Sequence, residues 1–371
     1  MKVGITGQAG FVGTHLYNTL KLHPETFECV PFEDAYFSDS AALLGFVKSC
    51  DAIVHLAAVN RCESQEALYR TNLDLVAKLI AAMEEAGVKP HVLMSSSTQE
   101  DRDNPYGRSK KEGRQMLESW AARAGAAFSG LVIPNVFGPF GRPHYNSFVA
   151  TFAHQLNHGE TPAIQVDSDV RLVHVGSLCQ RIIEAIRHPD GIRRLDIPWD
   201  FERKVSDILR LFEHYRDAYG ERGEIPDLRD RNDVNLFNTF RSYMDLGKHF
   251  PVLLKQNTDA RGTFIETLRL ESGGQVSFST TVPGITRGNH FHTRKIERFT
   301  VIKGKARIQL RRIGTDEVLN FDLDGEHPSY VDMPVWYTHN ITNTGDDILY
   351  TQFWISEWYE PADPDTYFEP V

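Results

Sequence analysis

The sequence is poor in the features that mark secreted, disulfide-stapled or membrane-bound chains. It has four cysteines, Cys29, Cys50, Cys62 and Cys179, and no two of them are spaced C-x-x-C. They read as reduced thiols and not as a disulfide framework or a thiolate metal site. No stretch approaches the ~18 consecutive apolar residues that span a bilayer. The opening run Met1-Lys2-Val3-Gly4-Ile5-Thr6-Gly7 lacks a basic segment followed by a long apolar one, so it reads as a first buried strand and not a signal peptide. Positive charge is also in deficit: 40 Lys and Arg against 50 Asp and Glu give a net −10. No excess positive field exists to attract nucleic acid or an acidic membrane, although a local pocket for one nucleotide diphosphate is compatible with that balance. Repeats and low-complexity tracts are absent. The expectation is a cytoplasmic, soluble protein with neither nucleic acid nor membrane as partner.

At 371 residues the chain exceeds what one hydrophobic core organises, and two domains are expected. Through about residue 190, short apolar runs alternate with longer amphipathic ones, the grammar of βα units around a parallel sheet. Strands are expected at Lys2–Thr6, Cys29–Phe32, Ala52–Ala57, His91–Ser95 and Phe128–Ile133. Helices are expected at Phe11–Lys21, Ala41–Ser49, Leu73–Ala86, Tyr106–Ala124, 176–188 and 205–220, with a polar stretch over Glu221–Asn235. From about residue 262 the pattern turns to period two, in Gly262–Leu270, Gln275–Val282, Arg298–Ile302 and Ala306–Arg312, broken by Gly, Asp and Pro turns. That is an all-β module, a small barrel or jelly roll. The boundary is expected near 245–255, giving domains 1–245 and 250–371.

Two constellations carry chemistry in the first domain. Gly7-Gln8-Ala9-Gly10-Phe11-Val12-Gly13 lies between the first strand and the first helix. Glycine there lets backbone approach a pyrophosphate, and the helix N-terminus supplies free N–H groups and a positive dipole end. Tyr106-Gly107-Arg108-Ser109-Lys110 places a phenol and an ammonium at i and i+4 of one helix face, behind Asn104-Pro105 as a helix start. An adjacent ammonium is expected to lower the phenol's pKa from about 10 and make proton exchange with a carbonyl oxygen practicable. Ser95-Ser96-Ser97 ends the preceding strand with hydroxyls for the same carbonyl.

These residues resemble the extended short-chain dehydrogenase/reductase family, the nucleotide-sugar epimerases, dehydratases and 4-ketoreductases, over about residues 1–240. Val54-His55-Leu56-Ala57-Ala58, Asn72 and Pro134-Asn135-Val136-Phe137-Gly138-Pro139 fall on further motifs of that family. The resemblance implies a Rossmann-like doubly wound parallel α/β sheet. It implies Tyr106 as proton donor, Lys110 on the nicotinamide ribose, and Ser97, with Ser96 as the alternative, polarising the substrate carbonyl. Gly7, Gly10, Phe11, Val12, Gly13, Leu56 and Ala57 would line the cofactor; Asn135, Asn146 and Arg171 would contact the sugar or its diphosphate. The chain departs from the family at Val132, where many relatives carry arginine. Glu33 and Asp34 after the second strand, with no arginine nearby, point to NAD, whereas the family points to NADPH; NADH stays open.

In the second domain, Gly284–Gly304 reads G-x5-H-x-H-x4-E-x6-G, with His290, His292 and Glu297; the block from Pro334 to Asn343 adds His339. Residues two apart on a strand face one way, so the two imidazoles converge, and a turn through Thr293–Ile296 would bring Glu297 back beside them. Three imidazoles and a carboxylate suit a divalent transition metal. His327 reads as a surface histidine. The two blocks resemble the motifs of the cupin family, with Trp336 in place of a glycine. The resemblance implies a jelly-roll barrel with His290, His292, Glu297 and His339 as ligands, zinc being the expected ion.

Together, the two halves resemble a bifunctional capsular-polysaccharide family, along essentially the whole chain. Asp101–Lys110, Tyr145-Asn146-Ser147, Gly288-Asn289-His290 and Pro364-Asp365-Thr366-Tyr367-Phe368 carry that resemblance. It implies a homodimeric enzyme acting on a UDP-linked 4-keto amino sugar, UDP-2-acetamido-2,6-dideoxy-β-L-arabino-hexos-4-ulose. The cupin domain would epimerise C3, with Tyr337, Lys303 and Glu326 as acid–base candidates. The first domain would then reduce C4 to UDP-N-acetyl-6-deoxy-L-talosamine, on the route to UDP-N-acetyl-L-fucosamine. Two other readings stay open: a cupin module that only dimerises or binds, and an iron centre for oxygen chemistry.

Overall fold

The computed structural model describes residues 1–62 and 64–371, which divide into two compact units: Met1–Thr151 with Val166–Val205, and Phe152–Gln165 with Ser206–Val371. In the first unit the strands are β1 (Lys2–Thr6), β2 (Glu28–Val30), β3 (Ala52–His55), β4 (His91–Ser97), β5 (Phe128–Ile133), β6 (Asn135–Phe137), β7 (Asp169–His174), β8 (Ile192–Asp196) and β9 (Phe201–Lys204). Six of them form one sheet in the order β2-β1-β3-β4-β5-β8, every neighbouring pair parallel. This is the doubly wound order of a Rossmann-like fold.

The helices α1 (Phe11–Lys21), α2 (Ser40–Lys48), α3 (Gln65–Ala86), α4 (Pro105–Ala124), α5 (Phe148–Asn157) and α6 (Val175–Arg187) follow the strands in alternation. Successive strand residues point to opposite faces, so the sheet feeds two cores. One packs Val3, Ile5, Val54, Leu93 and Leu131 against Leu16 and Leu20 of α1 and Ile182, Ile183 and Ile186 of α6. The other packs Ile53, Val92, Met94 and Phe128 against Phe46 of α2, Leu79 and Met83 of α3, and Leu117 and Trp120 of α4. Near-continuous apolar strands are what a sheet covered on both faces requires. A small sheet, β6-β7-β9, stands apart from the main one. The sequence pattern did not announce it, because these strands are short and carry mixed polar and apolar residues.

Besides the end of α5, the second unit holds α7 (Val205–Tyr215) from Ser206 onward, a π-helical turn over Arg216–Glu221, α8 (Arg231–Arg241) and α9 (Leu246–His249). The stretch expected to be only polar contains the start of α8. Its periodicity is masked because Asn235, Asn238, Thr239 and Arg241 are buried along with Leu236, Phe237 and Phe240. By contact these helices group with the β sheets that follow, although the sequence pattern turns to period two only from about 262 and places the boundary near 245–255. Polar anchors explain the grouping: Asn238 Nδ2 donates to the Arg294 carbonyl (2.8 Å), and Tyr219 Oη donates to buried Asp332 (2.8 Å).

The strands here are β10 (Val252–Leu253), β11 (Gln256–Asp259), β12 (Gly262–Ile265), β13 (Gln275–Thr281), β14 (Thr286–Phe291), β15 (Glu297–Lys303), β16 (Lys305–Arg312), β17 (Val318–Asp324), β18 (Ser329–Met333), β19 (Tyr337–Asn343), β20 (Leu349–Ile355) and β21 (Tyr367–Phe368). They form two five-stranded antiparallel sheets, β10-β18-β15-β20-β13 and β17-β16-β19-β14-β21, besides the β11–β12 hairpin. Val301, Val331 and Met333 of one sheet and Ala306, Ile308, Leu310 and Ile341 of the other share a buried core. Among the described residues, no helix is long and apolar enough to cross a membrane.

Candidate functional sites

In the first unit the glycine turn is built as the sequence suggests. Gly7 has φ +70°, and a Cβ there would stand 2.9 Å from the backbone of Ala57. A Cβ at Gly13 would collide with the Gly7 carbonyl, so α1 starts hard against the turn. Gly10 caps α1 without a side-chain hydrogen bond, which leaves first-turn N–H groups for an anion. Phe11, Val12, Leu56 and Ala57 are half-buried around this turn, and Leu56 N–H donates to the Thr6 carbonyl at 3.1 Å. Glu33 and Asp34 lie exposed beyond the end of β2, with Glu33 leading a 3-10 turn over Asp34–Ser38. Asn72 is structural: its side chain bonds both the N–H and the carbonyl of Val59 and the hydroxyl of Ser109.

Asn104 caps α4 by accepting from Gly107 N–H (2.8 Å), and Pro105 opens the first turn. Tyr106 and Lys110 share one face, with the ammonium 5.8 Å from the phenol ring centre. Lys110 is buried and donates to the Ser95 carbonyl (2.9 Å) and hydroxyl (3.3 Å). Burial pulls the Lys110 ammonium down to about 8. The expected fall in the Tyr106 pKa does not occur: burial, helped by the Tyr145 phenol, pushes it up to about 12. The ammonium is turned to Ser95 and not to the hydroxyl, so desolvation wins. Tyr106 therefore holds its proton at neutral pH.

Strand alternation separates the three serines. Ser95 and Ser97 face one side of β4; Ser96 faces the other, where its hydroxyl donates to buried Glu100 (2.6 Å), itself bonded to Arg114. Ser96 is thus removed from the Tyr106 side. Ser97 accepts from Gln99 N–H (3.2 Å) and caps the next turn. Ser95, the actual partner of Lys110, had no signal beyond its place in the serine run. Tyr145 likewise appeared only within a quoted motif; its hydroxyl accepts from Asn60 N–H at 3.4 Å. Asn146 beside it is exposed. Pairing of β6 with β7 brings exposed Asn135 to the Arg171 carbonyl (3.4 Å). The Arg171 guanidinium lies 4.1 Å from the Trp199 ring centre and 3.0 Å from Glu202.

In the second unit, His290, His292, Glu297 and His339 assemble with their ligand atoms all within 4.8 Å of one another. His290 is the penultimate residue of β14 and His339 lies on β19 of the same sheet; the turn after His292 carries the chain to the other sheet, where Glu297 begins β15. Glu297 Oε2 lies 3.1 Å from His339 Nε2, 3.2 Å from His292 Nε2 and 3.9 Å from His290 Nε2. Burial alone would raise the Glu297 carboxyl, but the three imidazoles hold it well below the usual carboxylate range. Buried His292 Nε2 has no aligned hydrogen-bond partner, as a nitrogen kept for a cation would. This donor set fits a divalent metal, with His290 on the half-exposed side.

Trp336 takes φ +62°, the left-handed conformation that a glycine would favour at this place. The turn is kept by its N–H to the His292 carbonyl (2.7 Å), its carbonyl accepting from Ile313 N–H (2.9 Å) and ring stacking on Phe291. Asn343 ties the end of β19, donating to the carbonyls of Thr281 and Asp347. Two of the acid–base candidates are misplaced. Lys303 sits at the opposite end of β15 from Glu297, roughly 20 Å along an extended strand. Glu326 neighbours Gly325, whose Cα faces the Lys303 backbone, so it shares that distant end. Tyr337 lies two residues before His339 on β19, and burial pushes its phenol up, with Arg312 opposing.

Residues 3–197 match the NAD dependent epimerase/dehydratase family, and residues 257–367 match the polysaccharide biosynthesis C-terminal domain. The chain is 33% identical to a UDP-2-acetamido-2,6-beta-L-arabino-hexul-4-ose reductase from Pseudomonas aeruginosa, over 99% of this chain and 98% of the relative. The capsular polysaccharide assembling protein CapF from Staphylococcus aureus is similar at 33% identity and TM-score 0.62, covering 100% of both chains. RMD from Pseudomonas aeruginosa, solved with NADPH, shares the fold at 18% identity and TM-score 0.54, over 58% of this chain and 85% of that one.

Proposed function

The chain belongs to the NAD dependent epimerase/dehydratase family and, over its whole length, to the family of the UDP-sugar reductase it matches; on that footing we propose that it epimerises C3 and reduces C4 of UDP-2-acetamido-2,6-dideoxy-β-L-arabino-hexos-4-ulose. The product is UDP-N-acetyl-6-deoxy-L-talosamine. The observation that carries the reading is the Tyr106–Lys110 pair on one face of α4, in a chain that also has the glycine turn and matches such a reductase end to end.

Reduction is assigned to residues 1–245. NADPH, when bound at the α1 turn, supplies the hydride. Tyr106 Oη gives its proton to the C4 oxygen as the ketone becomes an alcohol, and its raised pKa keeps that proton in place beforehand. Ser97 hydrogen-bonds the same oxygen. Lys110 holds the ribose, and Asn135, Asn146 and Arg171 contact the sugar diphosphate. Epimerisation is assigned to residues 250–371 as a cupin jelly roll. The C4 ketone acidifies the C3 proton, so a base can remove it and return it on the other face. His290, His292, Glu297 and His339 would hold a divalent cation, zinc, whose charge favours the enediolate formed in between. Tyr337 is the acid–base candidate nearest the cluster. Reduction of C4 then makes the new C3 configuration permanent.

NMR of the products from the UDP-4-keto sugar, with and without NADPH in D2O, tests both steps in one sample. The expected result is C3 deuterium exchange without nicotinamide and the talosamine product with it. A product with unchanged C3 and no exchange would reduce the second unit to a binding or dimerisation module. Lys110 adds a pH expectation. Its charged form is lost as pH rises through about 8, whereas Tyr106 stays protonated. Reduction measured as kcat/KM should therefore fall about tenfold per pH unit above pH 8. A profile flat to pH 10 would show that the ammonium is not needed.

A further inference from the structure

Asp365 is a buried carboxylate that no step of the reaction uses. Only 2% of the residue is exposed, and it adopts φ +42°, a conformation uncommon outside glycine. Its side chain accepts from three consecutive backbone N–H groups, Thr293, Arg294 and Lys295, each at 3.0 Å, and from the Thr293 hydroxyl at 2.7 Å. Three N–H groups converging on one carboxylate form a nest that fixes the 293–295 turn. That turn joins His292 to Glu297.

The backbone of the same residue acts on the ligand directly. Its carbonyl lies 2.6 Å from His292 Nδ1. A carbonyl can only accept, so Nδ1 carries a ring proton, and in the neutral ring Nε2, on the Glu297 side, holds the lone pair that a cation needs. The neighbouring chain reinforces the placement. Lys295 Nζ donates to the Pro364 carbonyl (2.6 Å), and the Thr338 hydroxyl, beside His339, donates to the Glu369 carbonyl. β21 pairs with β14 in the register His290 with Phe368 and Phe291 with Tyr367. Segment 364–369 thus contacts the chain at or beside each of the three histidines.

We infer that Asp365 is a positioning residue for the metal cluster: its carboxylate sets the 293–295 turn, and its carbonyl selects the His292 tautomer that can ligate. The inference rests on the metal reading above. It implies a two-way link, in which a bound cation tightens the 293–295 turn and loss of the carboxylate weakens the cation.

The test measures zinc affinity by competition with a chelator for wild type, Asp365→Ala and Asp365→Asn, with circular dichroism and urea unfolding to verify folding. Nitrogen-15 NMR of the histidine rings is recorded without metal. In folded Asp365→Ala, affinity is expected to fall about 10–100-fold, the size typical of losing a partner of a metal-binding histidine. Asp365→Asn, which keeps one acceptor oxygen, should fall less. Wild-type His292 should appear as the Nδ1–H tautomer, and the alanine variant as a mixture, because without the carboxylate anchor the backbone carbonyl of position 365 is no longer held against Nδ1. A folded alanine variant with zinc affinity within twofold of wild type and an unchanged tautomer overturns the inference. Should wild type bind no zinc while the tautomer still shifts, the metal reading fails and the positioning role stands. Should the alanine variant not fold, the asparagine variant carries the same comparison, and an unchanged affinity and tautomer there overturn it.

Discussion

Tyr106→Phe is expected to lower the rate of C4 reduction by roughly 10²–10⁴-fold, the range that a positioned proton donor contributes. The variant should still exchange the C3 proton with solvent. The size follows from the isolation of the donor. Ser96 is turned away toward Glu100, Ser109 donates its hydroxyl to the Tyr106 carbonyl, and Lys110 is bonded to Ser95. Lys110, the other proton-bearing group on the Tyr106 face of α4, points its ammonium at Ser95. Phenylalanine keeps the ring that packs there, so the fold and NADPH affinity should change little. Stopped-flow loss of NADPH absorbance would follow reduction, and deuterium incorporation would follow exchange. If both fall together in a folded variant, the assignment of the two steps to different residues is wrong.

The largest expected effect on stability lies at Asp332. Its carboxylate pairs with Arg298 through two bonds, Nε to Oδ1 at 2.7 Å and Nη2 to Oδ2 at 2.9 Å, and neither side chain is more than 2% exposed. Tyr219 Oη donates to the same carboxylate and accepts from Arg241 Nε at 3.1 Å. Asp332→Ala leaves the Arg298 guanidinium buried without its counter-charge. A loss of about 3–5 kcal/mol is expected, read from the midpoint of urea unfolding. The double variant Asp332→Leu with Arg298→Met should recover most of it, because it removes the charge that was stranded as well as its partner. A single variant that costs under about 1 kcal/mol would mean that water reaches the pair.

Much of the first unit was legible because its signals are local. The strands Lys2–Thr6 and Phe128–Ile133 and the helix Phe11–Lys21 have the bounds that apolar periodicity gives them. Helix α3 begins at Gln65 and not at Leu73, since its first two turns are largely exposed and polar, and Ser64 supplies the cap by accepting from Ala67 N–H. The four candidate metal ligands were legible as residue types at fixed spacing. What was not legible depended on contacts distant in sequence. Which serine faces Lys110 follows from the face of β4. Why Lys303 and Glu326 lie far from Glu297 follows from the length of β15. The service of Asp365 to a turn some seventy residues earlier has no local pattern at all. Burial also reversed one expectation of charge: an ammonium nearby did not acidify Tyr106, because the phenol is desolvated and the ammonium is bonded elsewhere.

Trp336 gives the second unit a built-in optical reporter. The residue is 9% exposed, its ring stacks on Phe291 at 5.6 Å between centroids, and its backbone N–H ties it to the His292 carbonyl. Any shift of His292 on taking up a cation moves the indole against that neighbour. Zinc titration should then change the tryptophan emission, and Trp336→Phe should remove the change even though Trp120, Trp199, Trp354 and Trp358 remain. Occupancy of the cluster becomes readable by light, without substrate and without turnover.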